Sequence, residues 1–148
     1  MKEPKINCLP THRFRSSPLI KLVLTMLKKA DFILRRECDL THSQCQVLGL
    51  LKFNEVLSQD QIAQVLDLTP AAVSRLTETL QEKKYIQRQE NPDNRRQNQL
   101  KLTSAGEKNL EKALEIIKTL EDRLLGNLND KRSQEFLTTA DYLLKLIE

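Results

Sequence analysis

The spacing of the apolar residues changes twice along this chain, and these changes limit the possible folds more than any other feature. Up to Lys84 and again beyond Thr103, apolar side chains recur every three or four residues, which is the pattern of amphipathic helices. Residues 85–89 and 99–102 instead show the two-residue period of strands. With three glycines and no tryptophan in 148 residues, the sequence predicts one mainly α domain that contains a short β-hairpin.

The second and third predicted helices have recognisable first residues. Thr41 and Gln44 form a capping-box pattern, in which each side chain bonds to the backbone amide of the other residue. Residues 54–57 are predicted to be a connection that ends at Ser58, a potential N-cap for the third helix.

The flanking helices are longer. An apolar stripe predicts a first helix from Leu19 to about Arg36. After the hairpin, either Thr103 or Ser104 caps a long helix, and Glu107 would be the capping-box partner of Ser104. A last helix is predicted from about residue 131.

The fourth helix is the candidate functional element. Thr69 is a natural N-cap, and Pro70 suits the first helical position, whose amide has no partner within a helix. Small residues follow, so this end can approach the base edges in a DNA major groove. Arg75 has the reach and the chemistry to contact guanine or phosphate.

A short helix, a tight turn, this helix and a basic hairpin together predict a winged helix-turn-helix that binds double-stranded DNA. Guanidinium groups at the hairpin turn suit the negative potential of a minor groove. The candidate DNA-binding residues are Thr69, Pro70, Ala71, Ala72, Ser74, Arg75, Thr79, Asn94, Arg95 and Arg96.

Positive charge is concentrated in two parts of the chain. Residues 1–36 contain nine lysines and arginines against two acidic residues, and residues 75–102 contain seven against four. Such zones favour an anionic partner, although a solvated surface is the commoner explanation of any single one. Residues 1–18, which include three prolines, are interpreted as an irregular basic arm. We hypothesise that the arm follows the DNA backbone and releases counterions; a role in solubility alone is the alternative.

The three cysteines favour a reducing compartment, because their odd number and their spacing match no disulfide scaffold. No apolar run approaches the roughly 18 residues of a membrane-spanning helix, and no signal for export is found. We therefore expect a cytoplasmic protein with no membrane partner.

Several cysteines and histidines have ligand-like spacings. Cys38, His42 and Cys45 could be completed by Cys8 and His12. However, Cys45 belongs to an apolar stripe and His42 to an exposed first turn, so we expect no metal site. Cys8, in the basic arm, is the candidate for oxidant sensing.

Motifs of catalysis are not found. The sequence has no glycine-rich phosphate loop, no H-E-x-x-H and no nucleophile elbow, so we expect neither enzymatic activity nor a cofactor. The alternative to a DNA-binding module is a winged module that binds another protein, because a fold alone does not determine function. Arg75 and Arg96 discriminate between these alternatives, since their replacement weakens DNA binding only if DNA is the partner.

Four motifs, in this order, resemble those of the MarR family of bacterial transcription regulators. They are LTxxQxxVL from residue 40, LTPAAVSRL from residue 68, NPDNRR from residue 91 and LTxxG from residue 102. The resemblance implies a DNA-binding module at 39–103, between dimerisation helices at 19–38 and 104–148. It also implies a homodimer on a pseudo-palindromic operator, usually as a repressor, released by an effector such as a small phenolic anion or an oxidant.

Two positions depart from the family's pattern. Lys84 stands where the family usually has glycine. This departure calls into question the turn between the fourth helix, which is the recognition helix, and the first strand of the hairpin, which is the wing. Asn94 replaces an acidic residue that typically braces the wing arginine, so Arg96 would be held less firmly.

Overall fold

The computed structural model describes residues 17–54, 56–90 and 98–147. The elements in these ranges are α1 (Pro18–Cys38), α2 (His42–Asn54), β1 (Val56–Ser58), α3 (Gln59–Val65), α4 (Pro70–Glu82), β2 (Ile86–Glu90), β3 (Asn98–Leu102), α5 (Ser104–Leu125) and α6 (Asp130–Ile147). The predicted mainly α fold with a small β element is confirmed. Residues 1–16 of the predicted basic arm, with Cys8, and the hairpin turn with Asn94, Arg95 and Arg96 lie outside the described residues, whereas Pro18, the last residue assigned to the arm, begins α1.

The sheet has a third strand that the sequence did not predict. Its order is β1-β3-β2, and both pairs are antiparallel, with Leu57 and Arg88 on opposite sides of Leu100. The prediction of a connection at 54–57 is therefore wrong. Because β1 has only three residues, it is too short to show a two-residue period, and it is defined by its pairing with β3 rather than by its own sequence.

The core lies where the end of α1, helices α2 to α4, the sheet and the first half of α5 meet. The side chains that are almost completely buried include Leu34, Leu40, Leu48, Leu51, Ile62, Val73, Leu80, Leu100 and Leu110. By contrast, no side chain of α6 from Asp130 to Leu146 is buried. Within the described ranges, no helix is both long enough and apolar enough to cross a bilayer.

Capping side chains define where the helices begin. The Thr41 amide donates to the Gln44 side chain at 2.9 Å and the Gln44 amide to the Thr41 hydroxyl at 3.1 Å, which confirms the predicted capping box. Ser58 is confirmed as the N-cap of α3 and forms a capping box with Gln61. Each box satisfies amides that the first helical turn leaves unpaired.

Thr103, and not Ser104, caps α5. The Thr103 hydroxyl accepts from the Gly106 amide at 3.1 Å, so the pairing of Ser104 with Glu107 does not form. Glu107 instead lies 3.4 Å from the ammonium group of Lys52 on α2. The Thr103 hydroxyl is also within hydrogen-bonding distance of the carbonyl groups of Lys84 and Tyr85, at 2.8 and 3.0 Å, so one side chain joins the start of α5 to the start of β2.

Candidate nucleic-acid interface

The amino-terminal end of α4 is built as the sequence predicted. Thr69 has an extended backbone and its hydroxyl accepts from the Ala72 amide at 3.3 Å, while Pro70 occupies the first helical turn. Thr69, Pro70 and Ala71 are all exposed. No bulky side chain among these residues covers the end of the helix, so an incoming surface can reach its first turn.

Helix α4 has one buried face and one exposed face. Val73 and Leu80 are completely buried, and Leu76 is half-buried. Thr77 is also completely buried, although the sequence analysis did not assign it to the core. On the opposite face Arg75 is exposed, and the remaining predicted contacts, Ala72, Ser74 and Thr79, are partly exposed.

Thr77 holds α3 and α4 together. The Gln59 side-chain amide donates to the Thr77 hydroxyl at 2.7 Å, and that hydroxyl lies 2.9 Å from the Val73 carbonyl oxygen. A buried hydroxyl with both a donor and an acceptor costs little to desolvate, and this pair bridges the two helices of the helix-turn-helix. The burial of Thr77 could have been predicted from its position four residues after Val73, which places it on the face of α4 that carries Val73 and Leu80.

The turn after α4 has a backbone conformation that favours glycine. Lys84 has φ 60, in the left-handed region, and its amide donates to the Gln81 carbonyl at 2.9 Å. The Tyr85 amide then donates to the Leu80 carbonyl at 2.9 Å and closes the end of the helix. The turn that glycine would make is therefore present, with a lysine in it.

Three side chains converge on the carboxyl-terminal end of α1. Lys83 donates to the Asp39 carbonyl and pairs with the Asp39 carboxylate at 3.0 Å, and Asn109 donates to the Cys38 carbonyl at 2.7 Å. Lys112 donates to the carbonyl of Glu37, one residue earlier in α1. Cations and donors satisfy the free carbonyl groups and the partial negative charge of a helix end. This arrangement fastens the last turn of α4 to α1 and α5.

The predicted wing is described only in its strands. Strands β2 and β3 are paired as far as Glu90 and Asn98. Asn94, Arg95 and Arg96 lie between these positions in the sequence and outside the described residues. The wing contacts therefore stay a prediction.

The two described cysteines are buried in the core and are not paired with each other. Burial raises the pKa of the Cys45 thiol to about 12, with further contributions from Cys38 and Asp31, and burial also raises the pKa of Cys38. Because the thiolate is both the nucleophile and the metal ligand, these environments disfavour oxidation and metal binding. In the described part of the chain, no three cysteine, histidine or acidic side chains form a cluster suited to a metal ion.

A groove of about 570 Å³ lies between α1 and α5, on the side where α2 begins. Its walls are mostly apolar, Lys29, His42 and Arg123 bring basic groups to it, and Glu121 brings one carboxylate. The His42 amide at this edge donates to the Asp31 carboxylate at 2.6 Å, which ties α1 to the start of α2. The groove therefore adjoins the two long helices α1 and α5 and the start of α2.

Several known proteins are similar to this chain in sequence and in fold. A family model described as the MarR family matches residues 39–97. YhbI, a helix-turn-helix-type regulator of Bacillus subtilis, is 34% identical over 121 residues, which are 82% of this chain and 79% of YhbI. The repressor MdtR of the same organism is 32% identical over 108 residues, 73% of this chain and 68% of MdtR. The structure of a MepR–DNA complex from S. aureus matches with a TM-score of 0.74 and 29% identity, over 89% of this chain and 98% of MepR. The chain belongs to the MarR family, and it is a transcription regulator of the DNA-binding helix-turn-helix type and not an enzyme.

Proposed function

We propose that this chain binds duplex DNA as a homodimer, with the amino-terminal end of α4 from each copy in a major groove. The observation that carries the proposal is the open first turn of α4, where Thr69, Pro70 and Ala71 are exposed and none of the three has a large side chain. A helix that enters end-on needs small residues there, because bulky ones would hold it away from the base edges. MepR, which shares this fold, forms a complex with DNA, and this supports DNA binding by the present chain.

The proposed contacts fall into three groups. Ala71, Ala72, Ser74 and Arg75 face base edges, where Arg75 has the geometry to form paired hydrogen bonds with guanine. Thr69, Pro70 and Thr79 lie beside the sugar-phosphate backbone, which also meets the partial positive charge at the helix start. The proposed wing contacts are Asn94, Arg95 and Arg96.

Two variants test the DNA contacts. Arg75→Ala should lower affinity for a selected operator by about 5- to 150-fold, the value of one lost base contact, and should relax base preference at one position per half-site. Lys118→Ala removes the same charge from an exposed position on α5 and is the matched control. If both variants bind every sequence as the unmodified chain does, a protein-binding module is the better account.

Apolar side chains that no described part of the chain covers support a homodimer. They lie on α1 and α6, where a soluble monomer would leave large hydrophobic faces in contact with water. The exposed members are Leu19, Ile20, Val23, Leu24, Leu27, Phe136, Leu137, Leu143 and Leu144. We propose that residues 19–38 and 104–148 form the dimer, that 39–103 form the DNA-binding module, and that the arm at 1–18 follows the DNA backbone.

Sedimentation velocity tests the dimer. Leu143→Glu places a charge in the apolar stripe of α6 and should shift the chain from dimer to monomer at micromolar concentration. Thr138→Glu, on the opposite side of the same helix, should leave the dimer intact. A wild-type chain that sediments as a monomer would contradict the proposal.

We also propose that the protein represses transcription and is released by a small amphipathic anion. The groove between α1 and α5 supports this, because its apolar walls carry two cationic side chains, Lys29 and Arg123, against the single carboxylate of Glu121. This balance suits a flat apolar body that carries one negative charge. The raised pKa values of Cys38 and Cys45 disfavour an oxidant signal at these residues. The predicted cytoplasmic location, the absence of a cofactor and the oxidant-sensing role of Cys8 stay predictions.

A panel of aromatic carboxylates, added to an operator complex followed by fluorescence anisotropy, tests the effector. At least one should release the DNA from the wild-type chain, and Lys29→Ala should weaken that response. Lys28→Ala, the exposed neighbouring lysine, is the control. An equal response from the two variants would place the effector elsewhere.

A further inference from the structure

An acidic residue lies in the middle of the surface that α4 presents. Ala71, Arg75, Glu78 and Glu82 are all exposed and follow one another at spacings of three and four, so they form one line along the helix. Glu78 is not among the candidate DNA-binding residues predicted from the sequence. A carboxylate is unusual here because DNA presents negative phosphates on both sides of the major groove.

The Glu78 carboxylate is held toward the start of the helix. The Ser74 hydroxyl donates to it at 2.8 Å, across one helical turn. Helical side chains incline toward the amino terminus, so this bond places the carboxylate beside Ser74 rather than farther along the helix. The hydrogen-bonded pair of Ser74 and Glu78 therefore lies on the same exposed face of α4 as Arg75.

Within the described ranges, no cationic side chain pairs with the carboxylate of Glu78. Among the salt bridges of the described residues, none includes Glu78 or Arg75, although the two lie three residues apart. Glu82 has the same charge on the same line, but no hydroxyl group orients it in the described structure. Glu82 therefore offers an internal control for the effect of charge alone.

The major-groove partner that suits this carboxylate is an amino group. Cytosine presents the N4 amino group as a donor, whereas guanine presents only acceptors, O6 and N7, which would repel a carboxylate. Adenine presents its N6 amino group beside the N7 acceptor, which suits an amide better than a carboxylate. We propose that Glu78 is a specificity-determining residue that accepts a hydrogen bond from cytosine N4, next to a guanine contacted by Arg75. This inference rests on the proposed docking of α4 in the major groove.

The same carboxylate also penalises wrong sequences. At a site without a suitably placed amino group, Glu78 gains no hydrogen bond and still meets the repulsion of the phosphates. Its presence therefore lowers affinity for unrelated DNA while a correctly placed cytosine restores it. Glu78 would therefore increase the ratio between the affinity for the correct site and the affinity for unrelated DNA, without increasing the affinity for the correct site itself.

Selection of bound sequences from a random duplex library tests the inference. The wild-type chain should enrich a cytosine in each half-site beside the guanine that depends on Arg75. Glu78→Gln should reduce the preference for that cytosine by at least about fivefold and shift it toward adenine, because an amide pairs with adenine N6 and N7. Glu82→Gln should keep the wild-type motif. Both variants should bind unrelated DNA more tightly by a similar factor, since each loses one negative charge.

The possible results separate the two proposals. If Glu78→Gln and Glu82→Gln both retain the cytosine, Glu78 acts only through its charge, and the specificity inference is wrong. If Arg75→Ala also leaves the motif unchanged, the docking of α4 itself is wrong. Circular dichroism of each variant checks that these exposed substitutions leave the helices intact.

Discussion

Lys84 provides a sharp test of the turn that joins the recognition helix to the wing. Its φ of 60 is costly for a residue with a side chain, and the resolved hydrogen bonds at this position are made by its backbone. The amide donates to Gln81, and the carbonyl accepts from Thr103 at 2.8 Å. Because the lysine side chain is exposed, Lys84→Gly should remove the backbone strain and keep these bonds.

The expected gain is a difference between two opposing effects. A left-handed conformation costs about 1–2 kcal/mol for an L residue, and glycine avoids that cost. Glycine also increases the conformational entropy of the unfolded chain, which offsets about 0.5–1 kcal/mol. The free energy of unfolding should therefore rise by about 0.5–1 kcal/mol, which corresponds to about 2–3 °C in Tm for a chain of this size.

Lys84→Ala is the matched variant, because it removes the same charge and side chain but keeps the Cβ atom that causes the strain. Thermal unfolding of both proteins, followed by circular dichroism at one chain concentration, gives the comparison. The glycine variant should unfold at the higher temperature, and both should show the same change in DNA affinity. Equal unfolding temperatures would refute the assignment of strain to this turn.

Three further predictions follow from the described contacts. Gly106→Ala should destabilise the fold by about 3 kcal/mol or more in urea unfolding, because an added Cβ would lie 2.1 Å from the Tyr85 carbonyl oxygen. Gly49→Ala is the control: an added Cβ there meets no atom within 4 Å, so this variant should be neutral or stabilise α2 by up to about 1 kcal/mol. Cys45, with its pKa raised to about 12, should resist alkylation at pH 8 until urea unfolds the chain, and rapid alkylation of the native protein would contradict this. The contribution of the Cys45 thiol to stability should be complete below about pH 9 and should be lost as the pH rises toward 12. Lys83→Met should lower the free energy of unfolding by about 1–2 kcal/mol and weaken operator binding, because the Lys83 ammonium group holds the end of helix α1. The dependence of operator affinity on salt concentration should stay unchanged, and a weaker dependence would identify Lys83 as a phosphate contact.

Local rules were sufficient to predict much of this fold from the sequence. The capping box of Thr41 and Gln44, the Thr69 cap and the Pro70 start all depend on residues within one helical turn of each other. The switch to strands after Lys84 was likewise visible as a change of period. Features of this kind are set by neighbours in sequence, so they can be read before any tertiary contact is known.

The features that the sequence did not reveal depend on distant partners. Strand β1 exists because Leu57 pairs with Leu100, more than forty residues later. The choice of Thr103 over Ser104 as the cap of α5 is supported by the carbonyl groups of Lys84 and Tyr85, which only the folded chain brings near. The convergence of Lys83, Asn109 and Lys112 on the end of α1 is equally invisible in sequence.

The candidate site shows the same division. The open first turn of α4 was predicted from small residues that follow one another directly. The orientation of Glu78 by Ser74 was not predicted, although the two are four residues apart, because both residues are polar and outward-facing and several rotamers fit that pattern. The bridge from Gln59 to Thr77 needed the angle between α3 and α4, which no local rule supplies.

Protection of guanine N7 from methylation tests the central claim most directly, because this atom lies in the major groove. On an operator selected by the purified chain, we predict protected guanines in two half-sites related by two-fold symmetry, with centres about 10 base pairs apart. Arg75→Ala should remove one protected guanine from each half-site. Full methylation of N7 throughout a tightly bound operator would show that α4 does not enter the major groove.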